Sequence, residues 1–275
     1  MEMMTMKKTL LVLLVFVLGA SLIGCAANEP EGNDEINVGV AFYPMKDILL
    51  LIEDDLAEEG FDLVINEFSD YQVPNNLLQN GELDANIIQH DYFLQIFNES
   101  NDADLVTVQP IYHATFALYS RDYVSLDEIP EGSSITMADD ATNFSRSLYL
   151  LGQAGLLTFN EGKTTGLTLE DIASNPKNLQ FEDKVPLTSL AQRYSETGLA
   201  VMYPTYARSL ELVGDEQRLY VEQQDDVTEG YAISLVARND NRDSEKIQAL
   251  IKHITSDEVR EFLIDEYSWA SKPAF

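Results

Sequence analysis

Short β-prone apolar runs alternate along this chain with stretches whose apolar residues recur at helical spacing. That alternation limits the fold more than any other feature of the sequence. Ile36–Ala41, Asp62–Asn66 and Asp84–Ile88 read as strands. Between them, Met45–Leu56 places Ile48, Leu49, Ile52 and Leu56 on one helical face, and Val73–Asn80 predicts a helix stopped by Gly81. His90–Asn98 is a further helix with Phe93, Leu94 and Phe97 on one side. The pattern predicts an α/β fold with a mostly parallel sheet covered by helices. Leu105–Ser120 breaks the rhythm with a long run of Val, Ile, Thr, Tyr and Phe that can leave one lobe and enter another, and Tyr231–Ala237 can bring the chain back. Between these lie a helix over Asn143–Gly155, a strand over Leu199–Met202 and a helix over Thr205–Leu212. Two helices finish the chain, near Asp243–Ile254 and Ser256–Tyr267, the last capped by Thr255-Ser-Asp-Glu258. Two lobes joined by two crossings leave a cleft, the natural place for a ligand, and closure around it is a hinge motion.

The N-terminus is of another kind. Lys7 and Lys8 precede the apolar run Leu10–Leu18, too short for a membrane span of about 20 residues. It reads as a cleaved export signal, residues 1–24. Its end, Leu22-Ile23-Gly24-Cys25, resembles the lipobox of bacterial lipoproteins. By that resemblance Cys25 becomes the lipid-modified first residue of the mature chain, on the extracytoplasmic face of the cell membrane; the alternative is an ordinary secretory signal with a chance cysteine. Residues 25–35 are polar, acidic and broken by Pro30 and Gly32, a flexible tether. The expected lobes are 36–117 with 228–275, and 118–227. Cys25 is the single cysteine, so no intramolecular disulfide forms.

Acidic residues outnumber basic ones, 47 to 17, for a net charge of −30. Such a surface repels nucleic acid and anionic lipid headgroups, so a nucleic-acid partner is excluded and a membrane anchor has to be the lipid. His90, His113 and His253 are widely spaced and form no HxH or HExxH pattern, so no metal site is expected. No GxSxG, Walker A or GxGxxG sequence is present, which leaves hydrolase and nucleotide-binding readings without a motif and implies neither catalytic residue nor cofactor. Arg146 is the odd position. A cation in the first turn of a helix beginning near Asn143 opposes the helix dipole. It reads either as an exposed arginine paired with Asp139 or Asp140, or as a group that joins the free backbone N–H groups of that turn in holding an anion such as a carboxylate.

Several motifs recur in order: Glu67-Phe-Ser-Asp-Tyr-Gln-Val-Pro-Asn75, Gly81-Glu-Leu-Asp-Ala-Asn86 with Gln89-His90, Thr142-Asn143 with Arg146, Gln153-Ala-Gly-Leu156, Asn175-Pro-Lys-Asn-Leu179 and the ending Pro273-Ala-Phe275. With these the chain resembles the NlpA/MetQ lipoproteins, the substrate-binding components of methionine-type ABC importers, from about Ile36 to Phe275. The resemblance implies a two-lobed architecture of the periplasmic-binding-protein type II class. It implies capture of methionine or a related small amino acid by lobe closure, and delivery to an ABC permease driven by its ATPase. Tyr71 and His90 then line the apolar side of the cleft, and Asn143 and Arg146 hold the ligand carboxylate. Two positions of the polar head depart from the family: Tyr203 and Ile233 stand where it usually carries asparagines. Ile87-Ile88 is aliphatic where an aromatic pair is expected, and Phe42 and Tyr43 replace small residues beside Pro44. A charged ammonium with lost polar partners in a closed cleft costs several kcal/mol in order of magnitude. Another small carboxylate, or a dipeptide, is therefore the nearest alternative ligand. A surface interaction lipoprotein without transport, and an exported hydrolase, are the alternatives from other classes.

Overall fold

The computed structural model describes residues 34–275. The export signal, Cys25 and nearly all of the tether lie outside them; Glu35, expected in the tether, instead opens the first strand. In chain order the strands are β1 (Glu35–Val40), β2 (Asp62–Glu67), β3 (Ala85–Gln89), β4 (Leu105–Ala114), β5 (Ala117–Ser120), β6 (Met137–Ala138), β7 (Thr158–Phe159), β8 (Ile172–Ser174), β9 (Lys184–Val185), β10 (Leu199–Met202), β11 (Arg218–Val221), β12 (Ala232–Arg238) and β13 (Ser271–Pro273). The α-helices are α1 (Met45–Leu51), α2 (Glu53–Glu58), α3 (Val73–Gln79), α4 (Asp91–Asn101), α5 (Ala141–Gln153), α6 (Leu190–Thr197), α7 (Pro204–Ala207), α8 (Glu245–Ile254) and α9 (Asp257–Tyr267).

Two sheets organise these elements. One has six strands in the order β13-β4-β12-β3-β1-β2, the other three in the order β10-β5-β11. The run Leu105–Ser120 is divided between them at Thr115-Phe116: β4 belongs to the large sheet and β5 is the centre of the small one. β12 returns to the large sheet between β3 and β4. The expected mostly parallel sheet is only partly realised. β1 pairs in parallel with β2 and β3, whereas β12 is antiparallel to both neighbours and the small sheet is antiparallel throughout. The reason is geometric. The outgoing crossing through β4 and the returning one through β12 lie side by side, so they run in opposite directions.

Local chemistry moves several helix boundaries. The apolar face of Met45–Leu56 is buried as predicted, but the helix breaks at Ile52 into α1 and α2. The last helix is capped by Ser256, whose hydroxyl accepts from Val259 N–H, one residue later than expected. α5 starts at Ala141, two residues early, because the Asp140 carboxylate accepts the Asn143 N–H at 2.9 Å as its N-cap. Arg146 is thereby moved into the second turn.

Each sheet carries its own apolar core, with Ile36, Val38, Ile48, Leu235 and Leu250 at the large one and Tyr119, Leu148, Leu151, Leu190 and Val201 at the small one. Burying each such side chain stabilises by about 1.5–3 kcal/mol. α5 comes so close to β7 that a Cβ on Gly152 would meet the Phe159 ring at 2.7 Å, which only glycine avoids. No helix among the described residues is long and apolar enough to cross a membrane.

Candidate ligand-binding cleft

The cleft is assembled from both sides. From the large sheet come Tyr71, in the turn before α3, His90 at the end of β3, Tyr112 on β4 and Ile233 on β12. Ile233 and Tyr112 are directly opposed across the β12–β4 ladder. From the small sheet's side come Asn143 on α5, with Tyr203 and Tyr206 where β10 turns into α7. Together with Phe42 and Phe93 they line one narrow cavity.

A buried amide network fixes the floor. Asn75 Nδ2 donates to Gln89 Oε1 at 2.7 Å, and its Oδ1 accepts from both Asn86 Nδ2 at 2.8 Å and Gln89 Nε2 at 2.6 Å. This ties α3 to β3 and sets the position of the next residue, His90. His90 caps α4, its Nδ1 accepting from Phe93 N–H at 3.2 Å. The cap leaves the proton on Nε2. Burial first, and the charge of Arg146 second, push the imidazole's pKa down to about 3, so it is neutral. His90 is thus both the capping residue and a wall of the cavity.

Tyr71 contributes its ring to Phe42, 4.7 Å between centroids, and its hydroxyl to the Tyr206 hydroxyl on the opposite side. That bond crosses the cleft. Tyr206→Phe removes it, and the expected loss is about 1 kcal/mol from the closed form. The check is urea unfolding with and without ligand; an unchanged midpoint in both would show that the bond holds nothing closed.

Arg146 is the most buried cation of the site, 1 % exposed. It is neither an exposed arginine nor a partner of Asp139 or Asp140. Its Nε donates to Glu222 Oε1 at 2.8 Å and its Nη2 to Glu222 Oε2 at 2.5 Å, a two-pronged pair at the end of β11. Nη2 also reaches the Ala114 carbonyl and Nη1 the Tyr203 hydroxyl, both at 3.1 Å. The guanidinium lies 4.8 Å from the Phe116 ring and 4.5 Å from that of Tyr231, a cation–π enclosure. Burial alone would lower its pKa, but the Glu222 carboxylate and the rings of Tyr203 and Tyr231 more than offset this and hold it above its ordinary value. The Tyr203 hydroxyl donates to Asn143 Oδ1 at 2.6 Å while accepting from Arg146, and burial pushes its pKa up to about 12. Asn143 Nδ2 is held in turn by Asp140 at 3.1 Å.

Tyr71, His90, Asn143, Tyr203 and Ile233 therefore line one cavity, and Arg146 stands directly behind Tyr203. Sequence reasoning missed Glu222, Tyr206 and Tyr112. Among so many carboxylates nothing local marks Glu222, and only the register of β12 against β4 brings Tyr112 inward. No cluster of metal-ligating side chains occurs among the described residues.

Comparison with known proteins places this geometry. The family model described as NlpA lipoprotein matches residues 36–275. The methionine-binding lipoprotein MetQ of Bacillus subtilis is 32% identical over 273 residues, covering 98% of this chain and 99% of its own. The D-methionine-binding lipoprotein MetQ of Salmonella typhi is 33% identical, with 88% of each chain covered. A nutrient binding protein from Burkholderia cenocepacia, solved bound to methionine, superposes with a TM-score of 0.80 at 27% identity, over 87% of this chain and 100% of that one. The chain belongs to the NlpA lipoprotein family, as a two-lobed solute-binding protein and not an enzyme.

Proposed function

We propose that the protein is the lipid-anchored, extracytoplasmic receptor of an ABC importer. It captures methionine or a related small amino-acid-like carboxylate and presents it to the permease, whose ATPase drives uptake. The rigid bodies of closure are the expected lobes, 36–117 with 228–275, and 118–227, with the first boundary moved back to Thr115-Phe116 because β5 begins at Ala117 in the small sheet, and the anchor is Cys25. The carrying observation is a cavity walled by aromatic and aliphatic side chains from both sheets, with Asn143 and Tyr203 at one end and Arg146 behind Tyr203. Tyr71, Phe93 and His90 pack into a continuous ring wall against which an unbranched apolar tail can lie. The carboxylate then faces Asn143 and reaches the guanidinium by displacing the Tyr203 hydroxyl or Glu222, which takes two of its four hydrogen bonds. The methionine-bound relative and the two methionine-binding relatives support this ligand class.

The test is thermal unfolding of protein stripped of solute by unfolding and refolding, screened against amino acids, methionyl dipeptides and small carboxylates. Ligand at 100 times its Kd adds about 2.7 kcal/mol. The control is Arg146→Met combined with Glu222→Leu, which exchanges the buried pair for apolar side chains with little stability cost. A shift in the native protein that disappears in the control supports the reading. No shift with any compound favours an interaction lipoprotein that has lost transport.

A further inference from the structure

We infer that this cleft selects carboxylates that carry no free ammonium group: the α-nitrogen is absent, replaced by a hydroxyl, or acylated. The inference rests on the reading proposed above and narrows its ligand class. An ammonium brings three N–H donors and a positive charge, and in a closed cavity each needs an acceptor or an anion. No Asp, Glu, Lys or Arg lines the cavity. The nearest anion, Asp140, is already held by the Asn143 amide and backbone N–H and by the Thr142 hydroxyl, and Glu222, farther back, has both oxygens on Arg146. The side-chain amide oxygens of the walls each accept one hydrogen bond already. Asn143 Oδ1 accepts from Tyr203, Gln89 Oε1 from Asn75, and the Ala114 carbonyl from Arg146. His90 accepts through Nδ1 from the α4 backbone, so only an N–H remains to it.

Ile233 offers nothing polar at all, although its backbone neighbour in the ladder brings a hydroxyl to the same wall. That neighbour is Tyr112, which is 2 % exposed and whose hydroxyl makes no hydrogen bond among the described residues. The hydroxyls of Tyr112 and Thr205 can accept an N–H but carry no charge to balance an ammonium, and the Arg146 guanidinium lies behind Tyr203. The site therefore offers neutral hydroxyls but no free anion. A carboxylate with a hydroxyl, an acyl carbonyl or nothing at its α-position satisfies it; a zwitterion leaves its cationic half unpaired.

The experiment is calorimetric titration of the solute-stripped protein with four probes that share one side chain: methionine, its desamino acid, its α-hydroxy acid and N-acetylmethionine. At least one of the three ammonium-free probes is expected to bind about ten- to a hundredfold more tightly than methionine, the range set by stranding a buried polar group. Methionine binding as tightly as the best of the other three, or more so, overturns the selection while leaving the transport reading intact. Silence from all four with a thermal shift to another free amino acid also overturns the selection, and silence in both experiments overturns the transport reading with it.

Discussion

Glu222→Gln is expected to destabilise the solute-free protein by about 3 kcal/mol and to enlarge the stabilisation it gains from a bound carboxylate. The Arg146–Glu222 pair is almost wholly enclosed, with side-chain exposures of 2% and 6%. Forming such a pair contributes little net stability, because desolvation offsets the Coulomb gain. Removing one charge is different: the other stays buried without compensation, at about 3–5 kcal/mol. Gln keeps the volume and one acceptor, so the lower end applies. A ligand carboxylate in the cleft then supplies the missing negative charge. Urea unfolding of both proteins, with and without the best ligand from the screen, reads the two quantities together. A loss below about 1 kcal/mol would mean that the pair is solvent-screened and that Arg146 needs no anion.

Acid is expected to weaken the fold through His90, by about 2–3 kcal/mol near pH 4.5. Its pKa in the folded protein is about 3, against 6.5 for an unperturbed histidine. The folded state therefore binds the proton less readily than the unfolded state. The contribution is fully present above about pH 6.5 and is lost as pH falls toward the folded value, at about 1.4 kcal/mol per unit. Other groups titrate in the same range, so the readout is a difference. Stability is measured from pH 7 to 4 for the native protein and for His90→Asn, which can still cap α4. The variant's acid slope should be shallower by that amount. Parallel slopes would place the imidazole in contact with solvent and remove it from the cavity wall.

How much of this was legible in the sequence depends on the distance over which each feature is decided. α1 and α4 show in the spacing of Ile48 and Leu49, or of Leu94 and Phe97, because a helix face is a local pattern, and these residues are buried as expected. The two crossings were visible as β-rich runs, yet their antiparallel neighbourhood was not, since strand direction depends on where β12 inserts rather than on its composition. One of the two readings of Arg146 paired it with Asp139 or Asp140, whereas Asp140 caps α5. Both assignments use the same carboxylate, and only the backbone start of α5 separates them. The ring and amide residues of the cleft came from resemblance, whereas Glu222 could come only from the fold, which carries the end of β11 back to α5 across 76 positions of sequence.

The most direct test of the account is the crystal structure of the protein with the tightest-binding carboxylate from the screen. The account predicts closed lobes, the apolar tail against Tyr71 and His90, and the carboxylate within hydrogen-bond distance of Asn143 and the Arg146 guanidinium, with Glu222 or the Tyr203 hydroxyl displaced to admit it. A ligand whose carboxylate points to solvent while Arg146 keeps all its present partners, or one seated outside this cleft, would contradict it.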